Sequence, residues 1–333
     1  MVESIDWNGL RVEHEGGVYA VPCLAFTLWV RTTDTPLLLD FYERSMEAIG
    51  PLLTHYLAES MKQPAKVTAR ARTMVPTWLR KPAELKTYHM QLRGSAEVHG
   101  TSLEVIFQSR PPPTPAQEEQ ARRNLPILVE QGFMNSGVQT STFRVTLALD
   151  HPLAEPGRFA RWVLGFKAVA EGEFVTAGCD YSINYDDRTH GFVDDRVRAL
   201  CARYPGLDYF DSSIHLWLHR YEEKTQELLP LSKRAGWMTF LNRRSVEWLG
   251  GEVELAEALR SDPDVELHPL ARGLALQSGA APRLGDVTRG DIPYRAVASA
   301  VRPVRIERKG QEGYDDEWMR GWFSVLDGAE EAR

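Results

Sequence analysis

The chain has 333 residues, 43% hydrophobic and 26% charged, a balance that fits an ordinary globular protein and excludes a disordered or fibrous one. The formal net charge is −7, with 15 Lys and Arg against 16 Asp and Glu in residues 1–150, and 24 against 30 in residues 151–333. This disfavours direct nucleic-acid binding, which needs a basic face, and no apolar run reaches the roughly 18–20 residues of a membrane span.

The opening MVESIDWNGLRVEHEGG is polar and acidic and lacks the pattern of a signal peptide, so a cytoplasmic protein is expected. Cys23, Cys179 and Cys201 show no CxxC spacing. They read as small buried hydrophobes, with no disulfide framework, metal or cofactor expected.

In chain order, VPCLAFTLWVRTT (21–33) predicts a strand from its β-branched and aromatic content. Residues 36–60 place Leu39, Tyr42, Met46 and Ile49 near helical spacing. Gly50-Pro51 interrupts them, which predicts two helices or a kinked one. Residues 84–94 and 102–110 predict paired strands. Three successive prolines at 111–113 predict a loop whose AQEEQARR tail begins a helix. Alternation of Phe143, Val145, Leu147 and Leu149 predicts a strand over 140–150.

Residues 155–172 predict an amphipathic helix with Phe159, Trp162, Val163 and Phe166 on one side, and 173–185 a strand. A helix is expected from 194, ending at Pro205-Gly206, then a strand over 214–221. Residues 234–279 read strand, helix, Gly-Gly break, short helix, strand, strand, and 293–307 helix then short strand. Strands that follow one another directly favour an α+β fold, mainly antiparallel sheet with packed helices. Two related α/β halves are the variant. The expected organisation is one domain over 1–333, or two lobes (about 1–150 and 151–310), with an acidic C-terminal segment at 311–333.

QSGAAPRLGD (277–286) has the look of a ligand cradle. A phosphate-binding Walker loop needs GxxxxGK[ST], but Asp286 stands where the lysine belongs, and a carboxylate there repels phosphate. The residues instead predict a turn between a strand and the helix of PYRAVASAV. Gly279 and Gly285 supply positive φ, Pro282 a fixed bend, and Asp286 an acceptor for backbone N–H groups.

His215 and His219 in HLWLH lack the glutamate of a metalloprotease helix, and DPDVELH (262–268) has the wrong spacing and residue for a PD…ExK nuclease. No GxSxG occurs. Acids cluster at Asp180, Asp186, Asp187, Asp194, Asp195, Asp208 and Asp211, interspersed with Arg188, Arg196, Arg198 and Arg203. The pattern reads first as a solvated, salt-bridged surface, and alternatively as an acidic face that docks a basic protein. A divalent-metal site in an enzyme is the competing reading. No catalytic residue is assigned.

RYPGLDYFDSS (203–213), GWMTFLN (236–242), LGG (249–251), GLALQSGAAPRLGDV (273–287), PYRAV (293–297) and VRPVR (301–305) occur in that order. As an ordered set they resemble the type VI secretion immunity family, the TsiV family, formerly a domain of unknown function. The resemblance spans about 200 to 307, and more loosely the N-terminal half through FTLWVRT.

It implies a non-enzymatic immunity protein that binds and neutralises a cognate toxin in the cytoplasm, in some members a VRR-Nuc nuclease. A nuclease's basic groove would suit the acidic excess of 151–333. A structural or adaptor subunit of the secretion machinery is the alternative. Gly206, Trp237, Gly250, Gly251, Gly279, Pro282, Gly285, Asp286, Arg302 and Pro303 are expected to serve the fold. Tyr181, Asp208, Tyr209 and Asp211 are the expected toxin contacts, with core packing of Tyr209 and Phe210 the competing expectation.

Overall fold

The computed structural model describes residues 7–15, 17–31, 35–58, 61–80, 86–109, 123, 140–172, 174–185, 191–210, 218–222, 227–306 and 316–327. After a short β1 (Val12–His14), the long strand β2 (Gly17–Arg31) runs through the middle of the sheet. Pro22 falls between the end of the β1 ladder at Ala20 and the start of the next ladder at Cys23, where a missing donor costs no bond on that side.

Helix α1 (Thr35–Ile49) carries Pro36 in its first turn, where a proline is harmless, and stops at Gly50-Pro51. The second helix expected there does not form. A 3-10 turn (Gly50–Leu52) leads into strand β3 (His55–Ala58), whose backbone groups pair with those of a later strand. β4 (Ala65–Lys66), α2 (Ala69–Leu79), β5 (Lys86–Arg93) and β6 (Ser102–Ser109) follow. β5 and β6 form the antiparallel pair read from sequence. The proline loop and its helical tail lie outside the described residues, apart from Arg123.

β7 (Thr140–Ala148) is followed by the segment read as one amphipathic helix. It is two: α3 (Pro156–Leu164) and α4 (Lys167–Ala170), broken at Gly165-Phe166. Glu155 caps α3 by accepting from the Gly157 and Arg158 N–H groups at 3.0 and 2.8 Å, with Pro156 in the first turn. The break lets Phe166 point inward, stacked on Phe41 at 4.4 Å.

β8 (Phe174–Tyr185), α5 (Gly191–Arg203) and β9 (Leu207–Asp208) come next, then the hairpin β10 (His219–Glu222) and β11 (Glu227–Pro230). Residues 214–217, including His215, lie outside the described residues. β12 (Met238–Asn242), α6 (Arg243–Trp248), α7 (Glu252–Leu259), β13 (Val265–Leu270) and β14 (Gly273–Ser278) reproduce the order read from 234–279. α8 (Arg295–Val301) ends in a 3-10 turn (Arg302–Val304) containing Arg302 and Pro303. The short strand expected after it is reduced to one bridge, Arg305 to Ser232.

α9 (Asp316–Ser324) lies in the segment read only as acidic. Its Met319, Trp322 and Phe323 are buried, and Arg305 holds Asp327 in a bidentate ion pair at 2.6 and 2.7 Å.

The fold is α+β. Among the described residues one antiparallel sheet has the order β13-β14-β12-β8-β2-β7-β6-β5-β3-β4, with β1 on β2 and β9 parallel to β8. The sheet crosses the boundary near residue 150 without a break, through the β2–β8 ladder. Alternation sorts its side chains by face. Leu24, Phe26 and Leu28 of β2 register with Leu147, Val145 and Phe143 of β7, all buried against α1, α3 and α4. The opposite face is largely polar, and Thr27, Arg144, Thr146, Ser102, Glu104, Asp180, Ser182 and Asn184 are nevertheless buried.

Candidate functional site

Most of the sequence motifs, LGG apart, meet at one place, around residues 231–237 and Asp180 of β8. Gly206 donates its N–H to the Leu284 carbonyl at 2.7 Å, and a Cβ on it would stand 1.7 Å from the Arg283 carbonyl oxygen. That close approach admits only glycine and clamps RYPGLD onto QSGAAPRLGD. Gly285 has φ +64°, and a Cβ there would lie 2.5 Å from both the Asp291 carbonyl oxygen and Pro293 Cδ.

Asp286 accepts the Thr288 N–H at 2.9 Å and its hydroxyl at 2.6 Å, capping the 3-10 turn Val287–Arg289, and meets Arg203 at 3.3 Å. The Thr288 hydroxyl, ahead of Arg203, holds its carboxyl below the usual range. Trp237, fully buried, donates its indole N–H to the Gly279 carbonyl at 2.9 Å. Gly250 and Gly251 separate α6 from α7, both at positive φ, and Pro282 lies in the loop between β14 and the Asp286 turn.

Under this loop sits a buried polar centre. Asp180 accepts from the Tyr181 N–H at 2.9 Å and the Trp237 N–H at 3.3 Å, and lies 3.1 Å from the Tyr294 hydroxyl. That hydroxyl also accepts the Arg283 N–H at 2.7 Å. Tyr294 has φ +64°, rare for a side chain of its size, and is held there by these contacts.

Arg234 donates to the carbonyls of Leu207 (3.0 Å) and Pro205, and its guanidinium lies 4.2 Å from the Trp322 ring centre. Lys233 donates to Asp208 at 2.6 Å and to the Tyr209 carbonyl. Burial raises the Asp180 carboxyl well above its ordinary value, with Arg234 opposing. Burial also lowers the Lys233 ammonium, with Asp208 opposing. The cavity bounded by Trp29, Asp180, Asp208, Lys233 and Arg234 measures about 30 Å³, the room of one water and far below that of a substrate.

The expected contact residues fall differently. Tyr209 is 4% exposed; it packs edge-on against Trp318 at 5.0 Å and donates to Asp194 at 2.8 Å. With Phe210 it belongs to the core between α5 and α9, the competing expectation. Asp208 is half-buried and committed to Lys233. Tyr181 is half-buried edge-on to Trp7 at 4.8 Å, and Asp211 lies outside the described residues.

Asp180 overturns the solvated-surface reading for its own position, because the Ala25↔Asp180 register turns it inward. Asp194 does form an ion pair, to Arg198 at 2.7 Å. Asp186 and Asp187 lie outside the described residues. No group of three or more His, Cys, Asp or Glu among the described residues is placed to hold a metal ion, and no described helix is long and apolar enough to cross a membrane. Lys233, Arg234 and Tyr294 were not singled out from sequence. The signal available was their position within or beside the motifs.

Comparison with known proteins agrees with this architecture. No curated protein matches the chain. Among solved structures, the Pseudomonas aeruginosa T6SS protein PA0821 superposes with a TM-score of 0.71 at 18% identity, covering 96% of this chain and 88% of that one. At that identity the likeness is one of fold. The family model described as type VI immunity for VRR-NUC matches residues 129–319, which include Asp180, Asp208, Lys233, Arg234 and Tyr294 of the polar centre and its loop, and which end at Met319 within α9. The chain therefore belongs to the type VI immunity family for VRR-NUC.

Proposed function

We propose that this protein binds and neutralises a cognate VRR-NUC effector of a type VI secretion system, in the cytoplasm of the cell that makes both. The observation that carries the reading is the family match over 129–319, across the region in which the motifs converge. The site geometry supports a binding protein rather than an enzyme. Asp180, Asp208, Lys233, Arg234 and Tyr294 are engaged with one another and with backbone groups, and the cavity among them holds no more than a water. The motifs hold a fold, and recognition falls to the surface around it.

The net charge of −6 over residues 151–333 favours encounter with the basic groove of a nuclease. Inhibition then requires only that the bound protein occupy the approach of nucleic acid to the effector.

The test is co-expression. A VRR-NUC domain encoded beside this chain should be lethal alone and tolerated with it. The purified pair should form a complex that cleaves DNA at least tenfold more slowly than the free nuclease. Lethality unrelieved by this chain, with no complex on mixing, would overturn the reading.

A further inference from the structure

A cleft of about 420 Å³ opens where β12 runs into α6, lined by Arg243, Arg244 and Arg272 together with Phe174, Pro230 and Asn242. A second hollow of about 330 Å³ shares Arg243 and Ala271 with it and continues past Glu252. All three arginines are exposed, in a chain whose net charge is −7.

Their platform is rigid. Asn242 and Gly273 form the last register pair of β12 and β14, and the Arg243 N–H donates to the Arg272 carbonyl at 2.9 Å. Ala271, beside it in the β13–β14 turn, donates to the Ala170 carbonyl at 3.1 Å. Asn242 caps α6 by accepting the Ser245 N–H at 3.0 Å. Trp248, 41% exposed, follows Arg244 by one helical turn, and Val253, 78% exposed, lies just past the Gly250-Gly251 break. Glu247, paired with Arg243 at 2.9 Å, and Glu252 line the second hollow.

We propose that this arginine-lined cleft is the docking surface for an acidic, carboxylate-bearing loop of the effector, with Trp248 packing at its edge. The proposal rests on the effector-binding reading above. Three guanidiniums around one cleft match carboxylates through paired N–H···O bonds, a geometry a lysine cluster lacks. Arg and Trp are the residues most enriched where binding energy concentrates. A basic island on an acidic molecule also fixes register, because the rest of the surface repels an acidic loop. The same net charge opposes a long nucleic acid, which would meet repulsion beyond the cleft.

The experiment measures affinity for the VRR-NUC domain by calorimetry, with thermal melting of each variant. The triple variant Arg243→Glu, Arg244→Glu, Arg272→Glu should bind about a hundredfold more weakly, and Arg244→Gln and Trp248→Ala each about tenfold, with unchanged melting. Salt should weaken the wild type more than the triple variant. Should the triple variant melt early, the two single variants decide.

Wild-type affinity in folded variants overturns the docking surface and leaves the functional reading standing. A wild-type protein that binds no effector overturns both. Tight binding of a short DNA duplex, lost on charge reversal, makes the cleft a phosphate site and overturns the proposal.

Discussion

The two faces of the central sheet differ by one residue of alternation and by almost everything else. On one, Phe26 meets Phe41, Phe166 and Phe240 with ring centres 5.7 to 5.9 Å apart. On the other, Arg144 bonds Ser182 at 2.9 Å and Asn184 at 3.2 Å and lies 4.3 Å from the Phe210 ring centre, while Ser102 bonds Thr146 at 2.9 Å. Non-directional packing tolerates residues of similar volume. A buried polar network has few solutions, since each group left without a partner costs about 1–3 kcal/mol. The apolar face supplies most of the stability, and the polar face restricts which chain arrangement can lie on it.

The largest expected effect tests the apolar face. Phe26→Ala should cost about 3–5 kcal/mol in urea unfolding. A loss below about 1 kcal/mol would mean that the aromatic cluster does not carry the core.

Next comes the polar centre. Lys233→Ala strands Asp208 and should cost about 3 kcal/mol, while Lys233→Met with Asp208→Leu, which removes both charges, should recover most of that. Equal losses in the two would show that packing alone, and not the ion pair, matters there.

The acid limb separates two carboxyls of opposite sign. Burial opposes ionisation of Glu104, but the bond from His89 at 2.8 Å and nearby positive charge outweigh it, so its folded pKa lies below its unfolded one. Its contribution is complete above the unfolded value and lost as pH falls through the folded one. Asp180, with a raised folded pKa, contributes at low pH and loses that contribution as pH rises from its unfolded value through its folded one. Glu104→Gln should therefore flatten the acid side of a stability–pH curve, and Asp180→Asn should lessen the decline toward neutral pH. The reverse pattern would refute both assignments.

The smallest effects compare two threonines. Among the described residues the buried Thr142 hydroxyl has no hydrogen-bond partner, whereas Thr146 bonds Ser102. Thr142→Val should leave stability unchanged or raise it by up to about 1 kcal/mol, and Thr146→Val should lower it by about 1 kcal/mol, read from paired denaturation midpoints.

Much of the strand pattern was legible because alternation survives in the sequence, as in Phe143, Val145 and Leu147 of β7. HYLA at 55–58 was misread as helix because its apolar spacing is ambiguous and its partner β5 lies some thirty-five residues away. The polar centre was illegible for a related reason. Alternation tells which face Asp180 takes, but not that residues 231–237 and α9 cover that face. Arg272 joins Arg243 and Arg244 only through the β12–β14 pairing, so no local window shows the arginine cleft. The loop 277–286 was legible as a turn, since glycine at positive φ and aspartate at a cap are local chemistry.

The three cysteines, all buried, give the molecule internal clocks. Cys23 sits on β2, Cys179 on β8 and Cys201 on α5, and burial pushes the Cys23 and Cys201 thiols up to about 12. A maleimide therefore reacts only when the surrounding structure opens, and each site times the opening of its own element. A bound effector would slow all three by the same factor if it stabilises the fold as a whole, and unequally if it braces one side of the sheet.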